Sequence, residues 1–267
     1  MPDPQPIQRH PDDYPRAALV TGAARRIGRA IALDLARDGW AVAVHYNSSA
    51  AEAEESVAHI TNGGGRAVSL QADLAVEVET ESLLPRATAA LGPLGCLVNC
   101  ASTFELDLAE GVTRRSWDLH MEPNLRAPFV LSQAFARALP ADQGGVIVNL
   151  LDQRVWNLTP FFVSYSLSKT GLWTLTRTLA LALAPRIRVN GIGPGPALPS
   201  PRQSQAQFDR QCARMPLGRG TTPEEIAAAV SFILAAKAMT GQMIALDGGQ
   251  HLGWAQPEHG NRFPPDE

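Results

Sequence analysis

Tyr165 and Lys169 lie four residues apart in SYSLSK, so on a helix both face the same side. A neutral phenol titrates at about 10 and exchanges protons poorly at neutral pH. A neighbouring ammonium favours the phenolate and lowers that value. Thirteen residues before the tyrosine, the apolar run GVIVNLL ends on a carboxylate, Asp152. An ionised carboxylate accepts hydrogen bonds and donates none. Tyr165 and Lys169 can thus exchange a proton as a pair, and Asp152 stands before them as a group that can only accept. Simpler readings stand beside this one. The Tyr–Lys spacing also describes an exposed helix pair, and Asp152 also reads as a cap on the next segment or a partner of Arg154.

The elements that must position these groups follow from the alternation of short apolar runs with longer helical patterns. Strands are expected at 17–22, 40–47, 66–74, 95–102, 145–152, 186–195 and 242–249. Their unbroken rather than alternating apolar character fits strands covered on both faces of a parallel sheet. Helices are expected at 26–38, 50–62, 76–91, 113–139, 161–184 and 223–236, with Gly39, Gly63–Gly65 and Gly92 at their stops. This rhythm implies one doubly wound α/β domain. The segment 194–222, rich in proline, glycine and polar residues, reads as a loop with a short helix, placed as a lid over about 196–220.

Composition narrows the class. The chain has 267 residues, a formal net charge of −3 and 45% apolar residues. No basic block points to nucleic acid, and no apolar run reaches the roughly 18–20 residues of a membrane helix. The proline-rich start, residues 1–15, has no signal-peptide core and reads as a flexible arm; 253–267 reads as a tail. Cys96 and Cys100 sit in an apolar run as buried thiols, and no Cys/His spacing indicates a metal. A cytoplasmic enzyme fits this balance.

After the first strand comes TGAARRIGRAIA. Gly22 permits a tight turn and Gly28 a close helix–strand approach, leaving the N-terminal N–H groups of the helix to face an anion such as a pyrophosphate. The second strand ends HYNSSA: His45, Tyr46, Asn47, Ser48 and Ser49, with no acid before Glu52. A carboxylate there would bond a ribose 2′-hydroxyl and repel a 2′-phosphate, whereas hydroxyls and an amide can bond the phosphate. NADP(H) is therefore expected over NAD(H), although Ser48 and Ser49 also read as helix caps. Asp73 is placed beside the adenine, and Asn99 and Ala101 at the cleft floor.

The first turn, NCAS after the fourth strand, Asn124, YxxxK and the late GPG resemble the short-chain dehydrogenase/reductase family from about Ala17 to Leu252. The resemblance implies a Rossmann-type, parallel seven-stranded sheet in the order 3-2-1-4-5-6-7, with helices on both faces. Two departures narrow it: Arg26 stands where the first loop usually has its middle glycine, and Asp152 where the family has its catalytic serine. These, with HYNSSA, the phenylalanine of NCASTF and the DGGQHL ending, resemble the pteridine reductases and dihydromonapterin reductases.

That branch implies Tyr165, Lys169, Asp152 and Asn124 as the catalytic set. Lys169 also holds the nicotinamide ribose, and Asn124 holds a relay water through a backbone distortion helped by Pro123. Ile27, Leu74, Ser102, Pro194 and Gly195 complete the cofactor contacts, with Gly193 beside the nicotinamide. Arg26, Ser102, Phe104, Asp152 and Tyr165 form the substrate set. Phe104 stacks on one pterin face, and Arg26 reaches both the phosphates and the substrate's polar edge. Packing in the core and an exposed helix arginine are the plainer readings of those two.

The expected activity is NADPH-dependent reduction of a dihydropterin, with dihydrofolate a further substrate. The alternatives are a reductase of carbonyls such as a 3-oxoacyl thioester, or a non-catalytic NADPH-binding protein. The family is commonly tetrameric, so a homotetramer is expected. Leu172, Leu175, Leu179 and Leu183 suit either a core or an interface.

Overall fold

The apolar runs form strands because both of their faces are covered. The computed structural model describes residues 14–253. Seven parallel strands run β1 Ala17–Val20, β2 Ala41–Tyr46, β3 Ala67–Gln71, β4 Cys96–Asn99, β5 Gly145–Leu150, β6 Ile187–Pro194 and β7 Met243–Leu246. Their order in the sheet is 3-2-1-4-5-6-7, as expected. β1 pairs with both β2 and β4, with Val20 opposite Val44 on one side and Val98 on the other. The strand order reverses between β1 and β4, so a crevice opens beyond their carboxyl ends.

Helices α1 (Arg26–Arg37), α2 (Ala50–Asn62) and α8 (Pro223–Ala235) cover one face, where Ile31, Leu35, Ile226 and Val230 pack on Val20, Val44 and Val148. Helices α3 (Glu77–Leu91), α5 (Ala127–Ala138) and α6 (Val163–Leu183) cover the other, where Leu83, Leu131, Phe135 and Leu179 pack on Leu19, Leu97 and Ile147. Each fully buried side chain of this kind contributes about 1.5–3 kcal/mol of transfer free energy. Leu172 and Leu179 are buried, and Leu175 and Leu183 pack partly buried against the same layers, so these leucines belong to the core.

Helix ends follow local chemistry. Thr222 and Glu225 form a capping box at the start of α8, with Pro223 in its first turn. Two arginines of one short stretch stop two helices: Arg186 donates to the carbonyls of Ala136 and Leu139 at the end of α5, and Arg188 to those of Ile233, Leu234 and Ala236 at the end of α8. These bonds satisfy carbonyls that have no partner inside the helix.

The sequence reading needs one change. The helix expected over 113–139 is α4 (Arg114–Met121), a π-helical turn (Glu122–Arg126) and α5 in succession. Pro123 has no N–H to donate, and the amide of Ala127 reaches back five residues to the carbonyl of Glu122. The short helix expected within 194–222 is α7 (Gln205–Ala213), started by a Ser204–Gln207 capping box. The expected arm and tail lie almost wholly outside the described residues. Among those residues, no helix is long and apolar enough to cross a membrane, and no cluster of three His, Cys, Asp or Glu side chains could hold a metal.

Candidate active site

The crevice at the β1/β4 switch opens into a cleft of about 620 Å³. Its nucleotide end is formed by the turn between β1 and α1. Gly22 has φ +65°, and a Cβ there would lie 2.9 Å from the Cα of Ala101; a Cβ on Gly28 would lie 2.2 Å from the carbonyl oxygen of Gly22. Thr21 fixes the turn to β4 by accepting from the amides of Cys100 and Ala101 at 2.9 and 3.0 Å. No side chain caps α1, so its first N–H groups face the cleft without a protein partner from a cap.

His45 supports the same turn. Its Nδ1 accepts from the amide of Gly22 at 3.0 Å, which leaves Nε2–H to donate to the carbonyl of Ala72 at 3.1 Å. Burial holds its pKa down at about 4, so the ring is neutral at pH 7. Tyr46, Asn47, Ser48 and Ser49 continue the wall, followed by Asp73 and Leu74. Ser49 stands at the N-cap of α2 but makes no capping bond. Asp73 accepts from the amide of Ala75 at 2.9 Å.

At the other end Asp152 follows β5 in extended conformation, 9% exposed. Its Oδ2 accepts from the hydroxyl of Tyr165 at 2.8 Å, and Oδ1 accepts from the amide of Arg154 at 2.8 Å. The Arg154 guanidinium lies 3.3 Å from Oδ2. The cap and the Arg154 pair therefore coexist with the tyrosine contact. Lys169, 2% exposed, donates to the carbonyl of Leu150 at 2.8 Å, and its Nζ lies 5.8 Å from the Tyr165 ring centre. Burial lowers its pKa to about 8, against an opposing pull from Asp152. Pro194, the last residue of β6, and Gly195 close the cleft.

Asn124 sits in the π-helical turn, fully buried. Its carboxamide donates to the carbonyl of Thr103 and to Ser168 Oγ, and accepts from the amide of Thr103. Both side-chain donors are thus committed, so any water relay at this position falls to the backbone.

Four sequence placements change. Asn99 lies beneath the cleft rather than on its floor, where its amide bonds Asn149 at 2.8 Å; Cys100, Ala101 and Ser102 form the wall above. Gly193 faces its sheet neighbour, since a Cβ there would meet Met243 Sδ at 2.8 Å. Phe104 packs in a cluster with Phe161, Phe162 and Tyr165 rather than standing on the cleft wall; its ring stacks on Phe162 at 4.4 Å and meets Tyr165 edge-on at 4.6 Å. Arg26 lines the cleft, but its guanidinium donates to the carbonyls of Leu198 and Pro199 in the segment expected as a lid. It does so from φ +53°, a conformation suited to the glycine it replaces.

Sequence reasoning passed over several residues. Arg25 lines the nucleotide end and faces Glu52 at 3.8 Å; the RR doublet beside the turn was its signal. Arg202 spans from the segment expected as a lid to Glu105 at 2.5 Å and to the carbonyl of Phe104 at 3.1 Å. Cys100, expected only as a buried thiol, is half-buried in the cleft wall, its thiol pushed up to about 12 by burial.

A parallel sheet in this order, a glycine turn at its switch point and a Tyr–Lys pair beyond β5 define a class. Residues 22–251 match the family model described as enoyl-(acyl carrier protein) reductase, and the chain belongs to the short-chain dehydrogenase/reductase family of oxidoreductases. The crystal structure of FolM alternative dihydrofolate reductase 1 from Brucella canis, complexed with NADP, superposes with a TM-score of 0.88 at 48% identity, covering 91% of this chain and 96% of that one. A 3-oxoacyl-[acyl-carrier-protein] reductase of Synechocystis is 32% identical, over 88% of this chain and 96% of the relative. An uncharacterised oxidoreductase of Methylorubrum extorquens is 35% identical, over 88% and 97%.

Proposed function

We propose that this chain is an NADPH-dependent pteridine reductase that converts a dihydropterin, such as dihydromonapterin or dihydrobiopterin, to its tetrahydro form, with dihydrofolate as a further substrate. The observation that carries this reading is the Tyr165 hydroxyl held 2.8 Å from the Asp152 carboxylate, in the slot where the family's carbonyl reductases use a serine donor. The likeness to FolM alternative dihydrofolate reductase 1 supports it.

The nucleotide end fits a dinucleotide. The glycine approach at Gly22 and Gly28 leaves backbone exposed to a pyrophosphate at the N-terminus of α1. Ser49, without a capping bond, and Arg25 suit a 2′-phosphate. When bound, NADPH supplies the hydride.

The remaining chemistry belongs to the protein. A carboxylate offers about four acceptor sites. In Asp152 the Arg154 amide, the Arg154 guanidinium and Tyr165 take three of them. What remains accepts from the ring N–H or amino group of a pterin and leaves nothing to donate to a ketone. The Tyr165 O–H is the proton source for the reducible ring nitrogen. Lys169, charged below about pH 8, favours the phenolate left behind. The segment 196–220 acts as the lid. A homotetramer is part of the proposal, with a second copy of the chain packing in the groove lined by Trp117, Met121, Leu125 and Phe129.

The second reading, reduction of a 3-oxoacyl thioester, is favoured by the Synechocystis relative. NADPH oxidation is to be followed separately with dihydromonapterin, dihydrobiopterin, dihydrofolate and acetoacetyl thioester. Turnover of the pterins, with a higher kcat/KM for NADPH than for NADH, is the expected result. Turnover of the thioester alone would replace the proposal with the second reading.

A further inference from the structure

We infer that Asp107, Ser164 and His120 form a directional hydrogen-bond relay that sets the loop carrying Phe104 and Glu105 against the helix carrying Tyr165, which makes them positioning residues for the substrate. The inference builds on the pteridine reading, through Tyr165, whose ring Phe104 meets edge-on at 4.6 Å. Asp107 lies in the loop between β4 and α4, His120 in the last turn of α4, and Ser164 in the first turn of α6, next to Tyr165. All three are buried.

The direction of each bond is forced. The amide of Glu105 can only donate, so His120 Nε2 accepts from it, at 3.0 Å. A neutral imidazole then carries its proton on Nδ1 and donates to Ser164 Oγ, 2.7 Å away. Ser164 in turn donates its hydroxyl proton to the Asp107 carboxylate, which can only accept and which also takes the amide of Ser164 at 3.2 Å. The main-chain carbonyl of Ser116 lies 3.4 Å from the same hydroxyl, a weaker acceptor for its single proton. Asp, Ser and His side chains in contact invite comparison with a nucleophile triad. Here the serine oxygen accepts from the histidine and its proton faces the acid, the reverse of an activated nucleophile.

The relay ends on the loop beside the cleft. Nε2 holds the residue next to Phe104, whose ring lies against Phe162 and Tyr165. The carbonyl of Asp107 accepts from the amide of Phe162 at 2.9 Å, and Leu108 bridges Phe161. A single isosteric change therefore has a directional consequence. In Asp107→Asn the new amide group must face either the Ser164 amide, a clash of donors, or the Ser164 hydroxyl. In the second case the hydroxyl must leave the acid's position for the Ser116 carbonyl or for His120; turning to His120 moves the imidazole proton to Nε2 and sets a donor against the Glu105 amide.

The test is 15N NMR of the full chain with labelled histidine, His120 being assigned by its loss in His120→Asn, alongside steady-state kinetics. In the wild type His120 is expected as the Nδ1–H tautomer, and in Asp107→Asn with a population of Nε2–H. The KM for the pterin should rise about tenfold on loss of this one buried hydrogen bond, with the KM for NADPH within about twofold. His120→Gln, whose amide reaches the Nε2 position, should keep the pterin KM within about threefold, whereas His120→Asn, which reaches only Nδ1, should raise it about tenfold. If Asp107→Asn fails to fold, this pair carries the test.

An Nε2–H tautomer in the wild type overturns the relay, as does an unchanged pterin KM in both Asp107→Asn and His120→Asn. Absence of wild-type pterin turnover refutes the proposed function, while the tautomers still decide whether the relay exists.

Discussion

The two ends of the cleft are made of different material. The nucleotide end is largely backbone: a glycine turn, the uncapped start of α1, and a histidine locked into one tautomer beneath it. The end proposed for the substrate is made of side chains, with Asp152, Tyr165 and Lys169 held by buried hydrogen bonds beside the aromatic cluster. Backbone recognition needs little room for a side chain, so it tolerates almost no added atoms there. Side-chain recognition can be retuned by single substitutions, and there a shared fold can accommodate different substrates.

Asp152→Ser should break the substrate end and spare the other. Pterin kcat is expected to fall about a thousandfold, in the range of a lost acid–base group, while NADPH Kd by fluorescence titration stays within about twofold. Unchanged pterin turnover would remove Asp152 from the chemistry.

Gly28→Ala should do the opposite. The new Cβ falls 2.2 Å from the Gly22 carbonyl oxygen, and overpacking of this kind costs about 1–3 kcal/mol or more. A Kd for NADPH raised about ten- to hundredfold, with a lower Tm, is the expected outcome; lost turnover at unchanged Kd would dissolve the division between the ends.

Lys169 gives two pH trends of opposite sign. Its folded pKa of about 8 lies below the ordinary 10.5. Between these values the unfolded chain holds a proton that the folded protein has released, so stability rises with pH across this window. Activity that needs the ammonium falls as pH passes about 8. Denaturant midpoints and kcat measured over the same buffers should therefore diverge; parallel trends would mean that the ammonium is not used.

The smallest effect is expected at the rim. Arg202→Ala removes an ion pair to Glu105 in which both partners are partly exposed. Such pairs contribute about 0–1 kcal/mol, so the pterin KM should shift by no more than about fivefold, with Tm nearly unchanged.

Much of the fold was legible because its signals are local. Unbroken apolar runs gave the strands, and glycines gave the stops. The π-helical turn at Glu122–Arg126 broke the expected long helix because Pro123 acts on the hydrogen-bond ladder without disturbing the apolar pattern. The side chains of the Tyr165 set lie within one short segment, so their spacing could be read. Asp107, His120 and Ser164 are separated by 13 and 44 positions, and no periodicity joins them; only the fold brings them together. Phe104 was read as a free stacking face because sequence does not reveal that Phe162 already covers one side of it.

Arg26 bears on how such a protein can change over generations. Its left-handed backbone, φ +53°, carries a steric cost of roughly 1–2 kcal/mol that glycine would not. A population selected only for heat resistance should therefore drift toward Arg26→Gly, gaining a more robust molecule without the guanidinium's hold on Leu198 and Pro199. Selection on growth that depends on turnover should hold the arginine in place. The residue's persistence under one regime and loss under the other would show how much fitness resides in its three bonds to the Leu198–Pro199 segment.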